Sequence, residues 1–103
     1  MIASCISASS KVNGAIRAWN TAVSSGSSTQ RDNAAGLLGR TAADLRTMAS
    51  KSTNKGFTSR TRAVANEMDD MKGSHDNNKS VDSGGLNSTY RTLRTWCTDQ
   101  IKP

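Results

Sequence analysis

The sequence predicts an all-α fold: an antiparallel up-down-up-down four-helix bundle whose two ends are joined by a Cys5–Cys97 disulfide. Three observations carry this reading. Apolar residues recur at spacings of three and four in four separate segments, the period of a helix with one buried face. Three Ser-, Gly- and Asn-rich breaks separate those segments, and short connections favour antiparallel neighbours. The two cysteines stand near opposite ends of the chain, each on an apolar stripe. A chain of 103 residues is read as one domain, spanning 1–103.

In the first segment the stripe is Cys5, Ala8, Val12, Ala15, Trp19 and Ala22, with Ile16 and Val23 widening it. It stops at Ser24-Ser25-Gly26, where glycine is the usual residue beyond a helix C-terminus. The second opens on Ser27-Ser28-Thr29-Gln30, which has the spacing of a capping box. Its stripe is Ala34, Leu38, Ala42, Leu45 and Ala49, flanked by Leu37 and Met48; Gly36 and Gly39 are poor helix formers that either admit a neighbour or are tolerated. The third runs from about Phe57 or Thr58 to Lys72, with Phe57, Thr61, Val64, Met68 and Met71 inward. Gly73 is expected to end it, leaving Ser74 to Ser80 as a polar loop. The fourth starts near Asp82, a good N-cap, and places Leu86, Tyr90, Leu93, Cys97 and Ile101 on its stripe with Trp96 beside it.

In this topology Cys5 and Cys97 fall at the same end of the bundle and both point inward, so a bridge between them is expected. Disulfides belong to oxidising compartments, which places the protein outside the cytosol, secreted or in the cell envelope. Ile2-Ala3-Ser4-Cys5 also resembles a bacterial lipobox, in which an aliphatic and two small residues precede a lipidated cysteine. The resemblance implies a lipoprotein anchored through Cys5, which would leave Cys97 without its partner. Met1-Ile2-Ala3-Ser4 reads as a start placed ahead of a mature sequence from which a leader has been removed. No stretch approaches the ~20 apolar residues of a membrane span.

Composition narrows the partners. Apolar residues make up 34% and charged residues 21%, and the net charge is +6, with a pI of about 9.9. The balance is carried by Ser, Thr and Asn, a composition that resembles secreted bacterial proteins. A basic protein favours acidic partners: nucleic acid, anionic lipid or an anionic envelope polymer. Length and helicity also resemble the small helical proteins exported by type VII secretion. Trp19-Asn20-Thr21 lacks the glycine of their turn, and Tyr90 is followed four residues later by Arg94 where they carry an acid. No function is carried over from them.

Few residues point to chemistry. His75 is the only histidine and is expected in a solvated loop; one histidine beside Asp76 does not supply the three or four ligands of a zinc site. Glu67, Asp69 and Asp70 read as a surface ion-pair network with Arg62 and Lys72. Asn78-Lys79-Ser80 and Asn87-Ser88-Thr89 fit the glycosylation pattern, as chance allows in so Asn- and Ser-rich a chain. Trp19, Met68, Met71 and Tyr90 are candidates for an apolar ligand pocket between helices, since methionine adapts to varied shapes. The same positions serve equally as core. Arg60, Arg62, Arg91 and Arg94 are candidates for a shared anion-binding edge on the third and fourth helices.

The expected function is therefore that of an exported helical protein that binds another protein or an anionic envelope component, without catalytic activity and with no cofactor implied. Two alternatives stand beside it. One is a carrier of an apolar ligand, or of a haem-like cofactor held through Tyr90 or His75. The other is a basic nucleic-acid-binding module.

Overall fold

The computed structural model describes residues 1–101. Four helices follow in order: α1 (Ile2–Ser25), α2 (Ser28–Lys51), α3 (Lys55–Asp76) and α4 (Gly84–Ile101). Each packs on the next, and α4 returns against α1, so the helices form a closed ring about one core. Contacts across each pair run in opposite directions. Lys11 meets Asp44 and Arg46 meets Asn66; Glu67 lies at Gly85 and Trp96 at Gly56; Ser9 meets Tyr90 while Cys5 meets Cys97. The bundle is thus up-down-up-down, 44 Å along its longest axis.

Local chemistry fixes the helix ends. Gly26 takes a left-handed conformation (φ 70°) after α1 and returns its N–H to Val23 O, which glycine adopts without Cβ strain. The Ser27 hydroxyl accepts from Gln30 N at 3.2 Å, the serine half of the capping box. Asn54 caps α3 by accepting from Phe57 N at 3.0 Å, and Asp82 accepts from Gly84 N at 2.8 Å ahead of α4.

Every stripe residue from Cys5 to Cys97 named above is buried. Val23 and Ile101, assigned to the stripes by spacing alone, are exposed; both fall in the last turn of their helix, where less of the bundle lies beside them. Side-chain size varies around the ring. Seven buried alanines lie on α1 and α2, among Val12, Trp19, Leu38 and Leu45, and Ala65 lies on α3; Phe57, Met68, Met71, Leu86, Tyr90 and Leu93 come from α3 and α4. Small side chains among large ones let the layers interdigitate at native density. Gly39 accommodates the aliphatic stem of Lys72, whose Cδ would stand 2.8 Å from any Cβ placed there. Gly56 likewise lies beneath the Trp96 indole, 2.7 Å from where a Cβ would be.

Helix α3 continues past Gly73 to Asp76, one turn beyond the expected stop. Glycine costs about 1 kcal/mol in a helix interior, and tertiary contacts made by His75, described below, offset it.

The Cys5–Cys97 bridge forms as expected, with Cα atoms 5.8 Å apart, inside the usual range. With its sulfur in that bond Cys5 is not available for acylation, so the lipobox resemblance yields no anchor. No helix among the described residues is long and apolar enough to cross a membrane.

Two stability outcomes follow. Replacing both cysteines by alanine should lower the unfolding free energy by about 2–5 kcal/mol, read as a lower urea midpoint; an unchanged midpoint would show that the bridge constrains little. Thr61 is fully buried and its hydroxyl has no hydrogen-bond partner among the described residues. Thr61→Val removes that unsatisfied group and should raise stability by about 1 kcal/mol, or roughly 4–8 °C in Tm. A lower Tm would mean that the hydroxyl is partnered.

Candidate functional site

The residues singled out from the sequence occupy three regions. Met68, Met71 and Tyr90 are buried in the continuous core, and Trp19 joins them with only its edge at the surface. They fill the bundle interior as packed side chains. The Tyr90 hydroxyl donates to Ser9 O at 3.3 Å, which ties α4 to α1 and engages the group that a haem-like cofactor would have used.

The four arginines do not share an edge. Residues two apart on a helix lie on different faces, so Arg60 and Arg62 diverge. Arg60 turns into the α3–α4 groove, donating to Gly56 O at 3.1 Å and lying 5.6 Å from the Trp96 ring centre. Arg94 lies on the opposite flank of α4, toward α1, with its guanidinium 4.9 Å over the Tyr90 ring. Arg91, one turn earlier on that flank, is exposed. What α4 offers is therefore a pair, Arg91 and Arg94, on the α1 side. Both aromatic contacts are of the cation–π kind.

Around Arg94 the α1–α4 groove is lined by Cys5, Ile6, Ser9, Asn13, Thr98 and Ile101, an open depression of about 490 Å³. Its floor is the disulfide. Its rim is apolar at the outer end, with Ile6, Ile101 and neighbouring Ile2 exposed, and polar toward the middle of the bundle. The only acid on either helix is Asp99; of their cations, Arg94 lines this groove with Arg91 one turn before it, while Lys11 turns to Asp44 of α2 and Arg17 lines the α1–α2 groove beside Arg40. This acid-poor face with an apolar tip is the candidate binding surface.

Most acids lie on α2 and α3. Asp69 of α3 meets Arg46 of α2, Asp76 meets Lys72 one turn earlier on α3, and Asp44 of α2 meets Lys11 of α1. These exposed pairs contribute little stability. The expected Asp69 pairing was with cations on its own helix; the structure turns Asp69 toward α2 instead. Glu67 turns the other way, against the first turn of α4 at Gly85, where the helix dipole favours a negative charge.

Sequence reasoning missed His75. It lies on α3, its side chain only 17% exposed, with Nε2 2.7 Å from Asp32 Oδ1 and its ring edge-on to Trp19 at 5.7 Å. One histidine thus joins α1, α2 and α3 at the end opposite the disulfide. A helical reading carried through Gly73 would have placed it four residues after Met71, on the flank of the core. Among the described residues no three His, Cys, Asp or Glu side chains converge as a metal site would require.

Comparison with family models, with curated proteins and with solved structures finds no match to this chain.

His75→Ala removes both the Asp32 contact and the ring contact to Trp19. With Trp96→Phe as background, Trp19 emission should shift to longer wavelength and stability should fall by about 1 kcal/mol. An unchanged emission maximum would mean that the imidazole does not cover Trp19.

Proposed function

We propose that this chain is an exported, non-catalytic binding protein whose partner is an anionic component of the cell envelope or an acidic protein. The observation that carries the reading is the Cys5–Cys97 bridge. It joins residues 92 positions apart, with both cysteines buried. A bridge built into the core in this way belongs to proteins that fold where thiols are oxidised.

The charge distribution supports the choice of partner. The acids of α2 and α3 are drawn into pairs with neighbouring cations, α1 carries no acid and α4 carries one, within a chain of net charge +6. A net positive charge attracts anions and speeds encounter with them. The dispersal of Arg60, Arg62, Arg91 and Arg94 over separate flanks favours this reading over a nucleic-acid module, which needs cations that track one backbone.

The test is an intact mass of the protein taken from its natural host, with thiol alkylation before and after reduction, alongside cell fractionation. The expected outcome is an extracytoplasmic protein lighter by its two thiol hydrogens and alkylated only after reduction. Two thiols that alkylate without reduction, in a cytosolic fraction, would overturn export.

A further inference from the structure

We propose that the outer face of α1 and α4 at the disulfide end docks on an anionic lipid surface. Ile2, Ile6 and Ile101 enter the acyl boundary, and Arg91 and Arg94 meet headgroup phosphates. This rests on the anionic-partner reading above and narrows it to one partner.

The apolar component comes first. Ile6 is 63% exposed, Ile2 52% and Ile101 46%. A single exposed isoleucine needs no explanation. Here, however, two stand one turn apart on α1, and the third lines the same groove as Ile6 from α4. Folding buries none of them, so the patch is apolar surface left over after the core is complete.

The charge comes second. Arg94 lines that groove with Ile6 and Ile101, and Arg91 precedes it by one turn. Stacking on Tyr90 engages the flat face of the Arg94 guanidinium and leaves its N–H edge, the part that binds phosphate. Aliphatic side chains beside cations are the combination that holds a protein in the interface of an anionic bilayer.

Other occupants fit less well. A second copy related by a two-fold axis presents the same patch to itself, which brings Arg91 and Arg94 against their own counterparts on a face with Asp99 as its one acid. Protein partners are usually gripped by exposed aromatic anchors, and none of the exposed large apolar residues is aromatic. The disulfide beneath the patch fixes α1 against α4, so the isoleucines are held in place before contact.

The experiment is co-sedimentation of the oxidised protein with vesicles of phosphatidylglycerol and phosphatidylcholine, with vesicles of phosphatidylcholine alone, and retention on soluble polyglycerol phosphate. The expected result is binding to the anionic vesicles only, weakened as salt is raised. Ile2→Ser/Ile6→Ser should reduce partitioning about tenfold or more with the helical circular dichroism unchanged, because both positions are exposed. Arg91→Gln should weaken it several-fold. Vesicle binding unaffected by the isoleucine replacements would overturn insertion. Retention on polyglycerol phosphate without vesicle binding would overturn lipid docking and leave the anionic-partner reading standing. Binding to neither would overturn lipid docking and the anionic envelope component together, leaving an acidic protein as the partner. A concentration-dependent dimer abolished by Ile2→Ser/Ile6→Ser would show that a second copy covers the patch.

Discussion

Covalent closure between Cys5 and Cys97 is the constraint on which the ring of helices depends. Helices α1 and α4 are the most widely separated in sequence of the neighbouring pairs, and their cysteines stand 92 positions apart. Their mutual packing is the sparsest of the four neighbouring pairs. Without the bridge, their association would rest on the Tyr90–Ser9 hydrogen bond and on shared burial against the other two helices. In the chain-entropy treatment, a loop of this length removes about 4–5 kcal/mol of freedom from the unfolded chain. That is comparable to the whole core contribution expected of a small domain, so the bridge offsets what a thin α1–α4 seam does not supply.

The same constraint explains how so alanine-rich a core is sustained. An alanine releases little apolar area on burial compared with leucine or phenylalanine, but it costs almost no side-chain entropy and is the best helix former. The α1 and α2 faces exploit this with long, low-cost helices. The apolar bulk is delivered by Phe57, Met68, Leu86 and Leu93 of α3 and α4 together with Leu38 and Leu45 of α2, all fully enclosed. Gly39 and Gly56 belong to this scheme. Each accepts the flat or flexible part of a side chain from the neighbouring helix, and neither marks a backbone-to-backbone crossing.

Much of this was legible from residue spacing. The four stripes, the Gly26 stop, the Ser27 cap and the cysteine pair depend on local periodicity and on topology, both of which a sequence carries. What escaped depends on which flank of a helix faces which neighbour. Gly73 looks like a terminator and so points to a loop at His75, yet contacts to Asp32 and Trp19, distant in sequence, accompany a helix that continues. Whether Trp19, Met68, Met71 and Tyr90 form core or cavity is a question of volume, which spacing does not encode. The arginines were grouped by proximity along the chain. Angular position alone separates Arg60 from Arg62, while the separation of Arg60 from Arg94 required knowing that α3 and α1 flank α4 on opposite sides.

The filling of the core and the distribution of charge have different origins. Size complementarity is required by packing, since a ring of four helices must fill one interior. Charge segregation is not required by it. The acids on α2 and α3 could equally have been placed on α1, whose exposed positions carry Ser, Asn and Ala in quantity and impose no steric demand. Exposed isoleucines also cost solubility without contributing to the core. Folding is indifferent to this pattern, and the face that carries it is the one locked by the disulfide, which is why the lipid-docking proposal is placed there. A rigid seam with cations on one flank and aliphatic side chains at its tip suits a partner that is extended, anionic and apolar beneath its charge.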